Sequence, residues 1–189
     1  MRYQPFATWR RYNGARRLSN ESGPTLQGMY EQAFGDNDFS KVSFQVFQTL
    51  PLANWGSINY RISGAHFINK PSLILDYQHF RGNEINVSSG DNRFLALPYY
   101  ALSNAGGHFK AFLQWEPRKF VLTQNAFLSM YGLNEKVGYA YLQTLVNSQV
   151  VNYQELSYGI TGIGKILGLD FVYPMGSVVP EKWKILVRL

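Results

Sequence analysis

The chain has 189 residues and no cysteine. That excludes disulfides, thiolate metal sites and a cysteine nucleophile. Charge is scarce too: 16% of residues are Asp, Glu, Lys or Arg, against about 25% in an average soluble domain. No long hydrophobic run is present. Stretches such as 94–102 reach about half of the roughly 18–20 residues a spanning helix needs, and the mean hydropathy is −0.21, so the chain is not a helical membrane protein. Met1-Arg2-Tyr3-Gln4-Pro5 leads into no apolar segment of the kind a secretory signal carries. Taken alone this reads as cytosolic; taken with the strand pattern below, it reads as the C-terminal part of a longer exported polypeptide. Histidine is sparse. His66, His79 and His108 form no short-spaced pair, and a metal site would need them to converge in the fold.

What the chain does have is aromatic residues and alternation. Tyr, Phe and Trp number 13, 13 and 4. The C-terminal stretch 153–189 organises the rest. Trp183, Ile185, Val187 and Leu189 alternate there with Lys182, Lys184, Leu186 and Arg188, and a period of two sends the two sets to opposite faces of a strand. The same pattern recurs upstream. Thr25–Phe34 is a strand, followed by a turn at Gly35-Asp36-Asn37-Asp38. In 41–50, Val42, Phe44 and Val46 oppose Ser43 and Gln45, with Phe47 out of phase. The cleanest strand is 56–67, where Ile58, Tyr60, Ile62 and Gly64 alternate with Ser57, Asn59, Arg61 and Ser63. Further strands are expected at 72–80, at 94–102 despite Pro98, at 108–116 (with Phe112 out of phase), at 136–146, at 153–160 and at 169–173. The stretch 120–133 fits strand, turn or short helix equally.

Two motifs point toward chemistry. Gly159-Ile160-Thr161-Gly162-Ile163-Gly164-Lys165 has the spacing of a phosphate-binding loop. Ile166 stands where that loop needs a hydroxyl, and a strand rather than a helix should follow, so a glycine-rich bend between strands is the better reading. Asp76, Glu155 and Asp170 sit in or beside strands and could serve a paired-carboxylate hydrolase. They read better as lumen-side or turn-side groups satisfied by Arg61, Lys110 or similar partners. No nucleophile-elbow pattern accompanies the serines. Trp55, Tyr99, Tyr100, Trp115, Tyr139, Tyr173 and Trp183 lie near strand ends, as residues of a membrane-interface girdle would. The net charge is +6, with Arg10, Arg11, Arg16 and Arg17 crowded near the start. These suit a polar loop or anionic headgroups as well as a nucleic-acid arm, and the remaining charges are too dispersed to extend such an arm.

The order of segments resembles the C-terminal β-barrel region of uncharacterised outer-membrane proteins of Bacteroidetes-type Gram-negative bacteria. The resemblance covers about residues 24–175. It rests on Gly23-Pro24-Thr25-Leu26, on Asn54-Trp55-Gly56 with Gly64-Ala65, on 94–100, and above all on Tyr153-Gln154-Glu155-Leu156-Ser157-Tyr158-Gly159-Ile160 followed by Leu169-Asp170-Phe171-Val172. Members usually carry an N-terminal carboxypeptidase-regulatory-like domain, which is not in this sequence. Where they often have an Ile-Pro-Leu turn, this chain has Ala126-Phe127-Leu128-Ser129-Met130-Tyr131. The resemblance implies location and architecture, and it brings no catalytic residues.

The expected fold is all-β: an antiparallel up-and-down meander of roughly 8–10 strands forming a transmembrane β-barrel or part of one. Residues 1–24 are a polar segment, an incomplete strand or a loop, and 25–189 are the barrel region. The expected function is that of an outer-membrane barrel protein with a structural, transport or surface-associated role. No catalysis, cofactor or metal is expected, and neither catalytic nor binding residues are assigned. The partners would be outer-membrane lipid and the rest of a longer chain or another outer-membrane protein, with no nucleic acid. The alternative is a soluble lipocalin-like barrel binding an apolar small molecule. The two differ in which face is wet: Arg61, Asp76 and Lys110 should line the interior of a membrane barrel and the exterior of a lipocalin-like one.

Overall fold

Period-two alternation becomes strand along most of the chain. The computed structural model describes residues 1–5, 7–21, 23–35, 38–88, 92–146, 149–164, 166–176 and 182–188, with backbone alone for 7–10, 12 and 16–21. The strands in chain order are β1 (Arg2–Tyr3), β2 (Ala7–Tyr12), β3 (Ala15–Glu21), β4 (Thr25–Ala33), β5 (Phe39–Pro51), β6 (Ser57–Asn69), β7 (Val87–Ser88), β8 (His108–Glu116), β9 (Asn134–Val146), β10 (Gln149–Ile163), β11 (Leu167–Gly176) and β12 (Lys184–Arg188). One short helix, α1 (Ala126–Met130), lies between β8 and β9.

Ten of these strands form one sheet in the order β1-β4-β5-β6-β8-β9-β10-β11-β12-β7. From β4 to β12 it is an antiparallel meander. Only β7 runs parallel to its neighbour, pairing Val87 with Val187 and Ser88 with Arg188. All-β architecture and a meander are therefore present. The sheet is not closed among the described residues: its two ends, β1 on β4 and β7 on β12, do not pair with each other.

Residues 1–24 are neither a single incomplete strand nor a loop. β1 pairs with Leu26 and Gln27 at the sheet edge. β2 and β3 form a separate hairpin, closed by Asn13-Gly14 with both residues at positive φ. This is the turn that matches the twist of two joined strands. Its register sets Arg10 opposite Arg17 and Arg11 opposite Arg16.

Two expected strands are absent. Residues 72–80 contain a 3-10 turn at Ile74–Asp76 and a single bridge from Gln78 to Asn104. Residues 94–102 are turns and irregular backbone. Both belong to the connection between β6 and β8, residues 70–107, whose described residues lie across one face of the sheet. An unbroken apolar run is compatible with any doubly buried backbone, and Pro98 has no N–H to give a ladder. The stretch 120–133 resolves into turns and α1. The Gly159–Gly164 run is the end of β10 and the tight turn into β11. No helix follows it, so the phosphate-loop reading falls; Lys165 lies outside the described residues.

The core sits between the sheet and this covering segment. Phe80, Phe94, Leu97 and Leu102 from the segment pack on Ala140, Leu142 and Tyr153 of the sheet. Leu95 and Ala96 pack on Val172 and Leu186. The two aromatics that break phase now have a reason: Phe112 meets Phe94 at a ring distance of 4.9 Å, and the Arg61 guanidinium lies 5.1 Å from the Phe47 ring.

Candidate functional site on the covered face of the sheet

Cross-strand partners share a face, so the register sorts the whole sheet. Glu31, Lys41, Arg61, Lys110, Glu116, Lys136, Glu155, Asp170, Lys184 and Arg188 all fall on the covered face. Among the charged residues of β4–β6 and β8–β12, only Glu135 falls on the other side. That bare face carries Val42, Phe44, Val46, Ile58, Ile62, Leu113, Trp115, Tyr139, Leu156, Phe171 and Ile185, and Phe44, Leu113 and Leu156 each remain close to half exposed. Its polar positions are partnered in part by tyrosine. Tyr60 Oη donates to Gln48 at 2.9 Å, Tyr139 Oη to Gln154 at 2.9 Å and Tyr141 Oη to Asn152 at 3.2 Å.

On the covered face the carboxylates of β10 and β11 hold the covering segment in place. Leu95 N–H donates to Glu155 Oε2 at 2.7 Å. Ala96 and Leu97 N–H donate to Oε1 at 2.8 and 3.1 Å, and Tyr153 Oη adds a bond of 2.5 Å to the same oxygen. Three consecutive N–H groups converging on one anion make a nest. A strand would send alternate N–H groups to opposite sides, so this nest and strand geometry at 95–97 exclude one another. Asp170, only 1% exposed, accepts from Ser88 Oγ at 2.9 Å and from Arg188 Nε at 3.0 Å, with Lys136 Nζ at 3.3 Å. Gly159 opposes Asp170 in the register, and a Cβ there would collide with Asp170 Oδ1 and the Lys136 stem. Lys184 Nζ donates to the Asn83 carbonyl at 2.9 Å. Arg61 and Lys110, expected beside these carboxylates, are not there.

Glu135 repeats the device at one end of the bare face. Val121, Leu122 and Thr123 N–H donate to its carboxylate at 3.2, 3.1 and 2.8 Å, and Thr123 Oγ1 donates at 2.6 Å. Tyr158 Oη donates as well. This pins the link 117–133 across the sheet end and leaves Glu135 1% exposed.

The cations of β5, β6 and β8 form the opposite case. Lys41 pairs with Glu31. Lys110 Nζ lies 6.0 Å from the Phe80 ring, and Arg61 rests on Phe47. A cavity of about 250 Å³ opens between these strands and the covering segment, lined by Arg61, Arg81, Lys110, Gln45 and Gln78. Arg61 Nε, Ser63 Oγ and His108 Nδ1 are buried there or beside it without a hydrogen-bond partner.

The three histidines do not converge. His108 is on β8, His66 on β6 at the bare face, and His79 accepts from or donates to Ser103 Oγ at 2.7 Å. Among the described residues no three His, Asp or Glu side chains gather as metal ligands. Asp76 lies in the covering segment rather than in a strand. Tyr99 and Tyr100 also belong to that segment, not to a strand end. Trp115 Nε1 donates to the Trp55 carbonyl at 2.9 Å at one sheet end, and Tyr173 meets Trp183 at 5.1 Å at the other.

The features define a class: a wide antiparallel sheet whose charged face is occupied by one of its own connections. Residues 1–160 match the model of the family of unknown function (DUF5686) C-terminal domain, and the chain belongs to that family. No curated protein and no solved structure gives a match.

Proposed function

We propose that the chain is the C-terminal β-barrel region of an outer-membrane protein, with a structural, transport or surface-associated role and no catalysis. The observation that carries this reading is the sorting of charge. Every charged residue of β4–β6 and β8–β12 but the tucked-in Glu135 is on the covered face, and the bare face is mainly apolar across the meander. In water such a face is a liability; against hydrocarbon it is the stabilising surface, and paired strands satisfy the backbone where lipid cannot. Strand length fits. β5, β6 and β9 have 13 residues and β10 has 15; at about 3.3 Å per residue and a tilt of about 45°, 13 residues rise roughly 30 Å, the thickness of a bilayer core. The tyrosine hydroxyls on Gln48, Asn152 and Gln154 partner amides that would otherwise meet lipid unsatisfied.

The covering segment then acts as a plug in the lumen. The open ends of the sheet, at β1 on β4 and at β7 on β12, would be completed by further strands, from a longer chain or a second outer-membrane protein. The lipocalin-like alternative would turn the apolar face inward and leave Arg61 and Lys110 outside; here both lie on the enclosed side, beside the packed core.

Refolding tests the proposal. The chain is diluted from denaturant into nonionic detergent micelles and, separately, into plain buffer, then compared by circular dichroism and by gel mobility with and without boiling. The expected result is β structure and heat-modifiable mobility in detergent only. A cooperative monomeric fold in plain buffer overturns the reading.

A further inference from the structure

We propose that the cavity between β5, β6, β8 and the covering segment binds an oxyanion of the phosphate class. Arg61 and Lys110 are diagonal neighbours on adjacent strands, because Arg61 opposes Phe112 and Ser63 opposes Lys110. Arg81, from the covering segment, completes the ring. The contacts that Arg61 and Lys110 make are with aromatic rings, Phe47 and Phe80, and among the described residues neither pairs with a carboxylate. A ring can support a cation, but it does not neutralise one. Three cations facing one void repel each other until an anion enters. Arg61 Nε is buried with its hydrogen unused; an oxyanion oxygen is the acceptor that a guanidinium fork and an ammonium are built to share. Gln45 and Gln78 line the same void and supply neutral donors and acceptors.

Size gives the ligand class more definition. Roughly 10–15 Å³ suffices for one water, and this cavity measures about 250 Å³. It accepts an oxyanion together with an attached group, and Phe94 and Phe112 form an apolar wall for one. Inorganic phosphate and a phosphorylated sugar share the chemistry the cations recognise.

The test is the melting temperature of the full chain, held in whichever medium folds it and free of phosphate lipid. Inorganic phosphate, glucose 6-phosphate and sodium chloride are titrated at matched ionic strength. A saturable rise with either phosphate compound is expected, beyond the small non-saturating rise that sodium chloride gives by screening the cations. Saturation by inorganic phosphate marks a free oxyanion site; saturation by the sugar phosphate alone marks a phosphorylated-saccharide site. Arg61→Gln combined with Lys110→Met should weaken the apparent affinity by roughly tenfold or more, the loss of at least one charge-assisted hydrogen bond. Arg81→Gln, at an exposed position that tolerates change, should weaken it severalfold and keeps the test decisive if the double variant misfolds. An equal response to chloride, no response to either phosphate compound, or an unaltered response in a folded variant overturns the proposal. The outcome is independent of the medium, so a chain that folds in buffer would refute the membrane reading and still report on this site.

Discussion

The covered face has two halves that handle charge in opposite ways. On β10 and β11, Glu155 and Asp170 are buried and saturated: backbone N–H groups, Tyr153, Ser88, Arg188 and Lys136 meet them. On β6 and β8, Arg61 and Lys110 have aromatic rings but no counter-charge among the described residues. A buried charge with a full set of partners acts as a structural pin, and removing it leaves those partners stranded. A half-buried charge without counter-charge costs some stability, and an enclosed cluster of them is a candidate ligand site. The first half should therefore be intolerant of substitution and the second tolerant.

The largest effect is expected at Glu155. Glu155→Ala strands three backbone N–H groups at 95–97 and the Tyr153 hydroxyl. At about 1–3 kcal/mol for each unsatisfied buried group, partly recovered by water entry, the loss is about 4 kcal/mol. Urea unfolding measures it, and limited proteolysis should cut within 70–107 in the variant first. Equal stability and an uncut segment would abolish the contrast between the halves. Asp170→Asn comes next. It keeps a hydrogen-bond acceptor for Ser88 but leaves Lys136 and Arg188 facing a neutral group, for a loss of about 2–3 kcal/mol. Gly159→Ala is smaller, about 1–3 kcal/mol, because the added methyl must push the Lys136–Asp170 pair aside. It should be milder in the Asp170→Asn background, and a double-mutant cycle reads that coupling directly.

This contrast was only partly legible in the sequence. The strands and their facing were, since alternation at Ile58–Gly64 or Phe109–Trp115 states the period and the phase together. The out-of-phase Phe47 and Phe112 were visible as exceptions, though their cause, a segment packed on the charged side, was not. That segment hid as two strands because 94–102 is an apolar run whose periodicity carries no information, and because Leu73, Leu75 and Tyr77 alternate as a strand would although Leu73 and Leu75 are exposed. Glu155 and Asp170 stood out as strand carboxylates. Their partners could not be read: Glu155 is held by main-chain N–H groups about 60 residues away, and main-chain donors leave no trace in residue types. Glu135 was missed for the same reason. The expected pairing with Arg61 and Lys110 failed because register, not charge, decides which strands neighbour each other. The β2–β3 hairpin had its signal in Asn13-Gly14.

The smallest effect sharpens the contrast most. Lys110→Met keeps the unbranched stem that lies by Phe80 and removes the ammonium. If Lys110 were a pin like Glu155, its loss would cost several kcal/mol. Among the described residues no carboxylate pairs with its charge: Arg61 and Arg81 face the same void and repel it, and the Phe80 ring packs on a thioether as readily as on a methylene stem. The expected change without phosphate is zero to a gain of about 1 kcal/mol. Rising sodium chloride should stabilise the parent chain slightly more than the variant, because salt screens a repulsion that the variant has already lost. A loss above about 2 kcal/mol would mean that Lys110 has a partner in the folded chain, and the two halves would then follow the same rule.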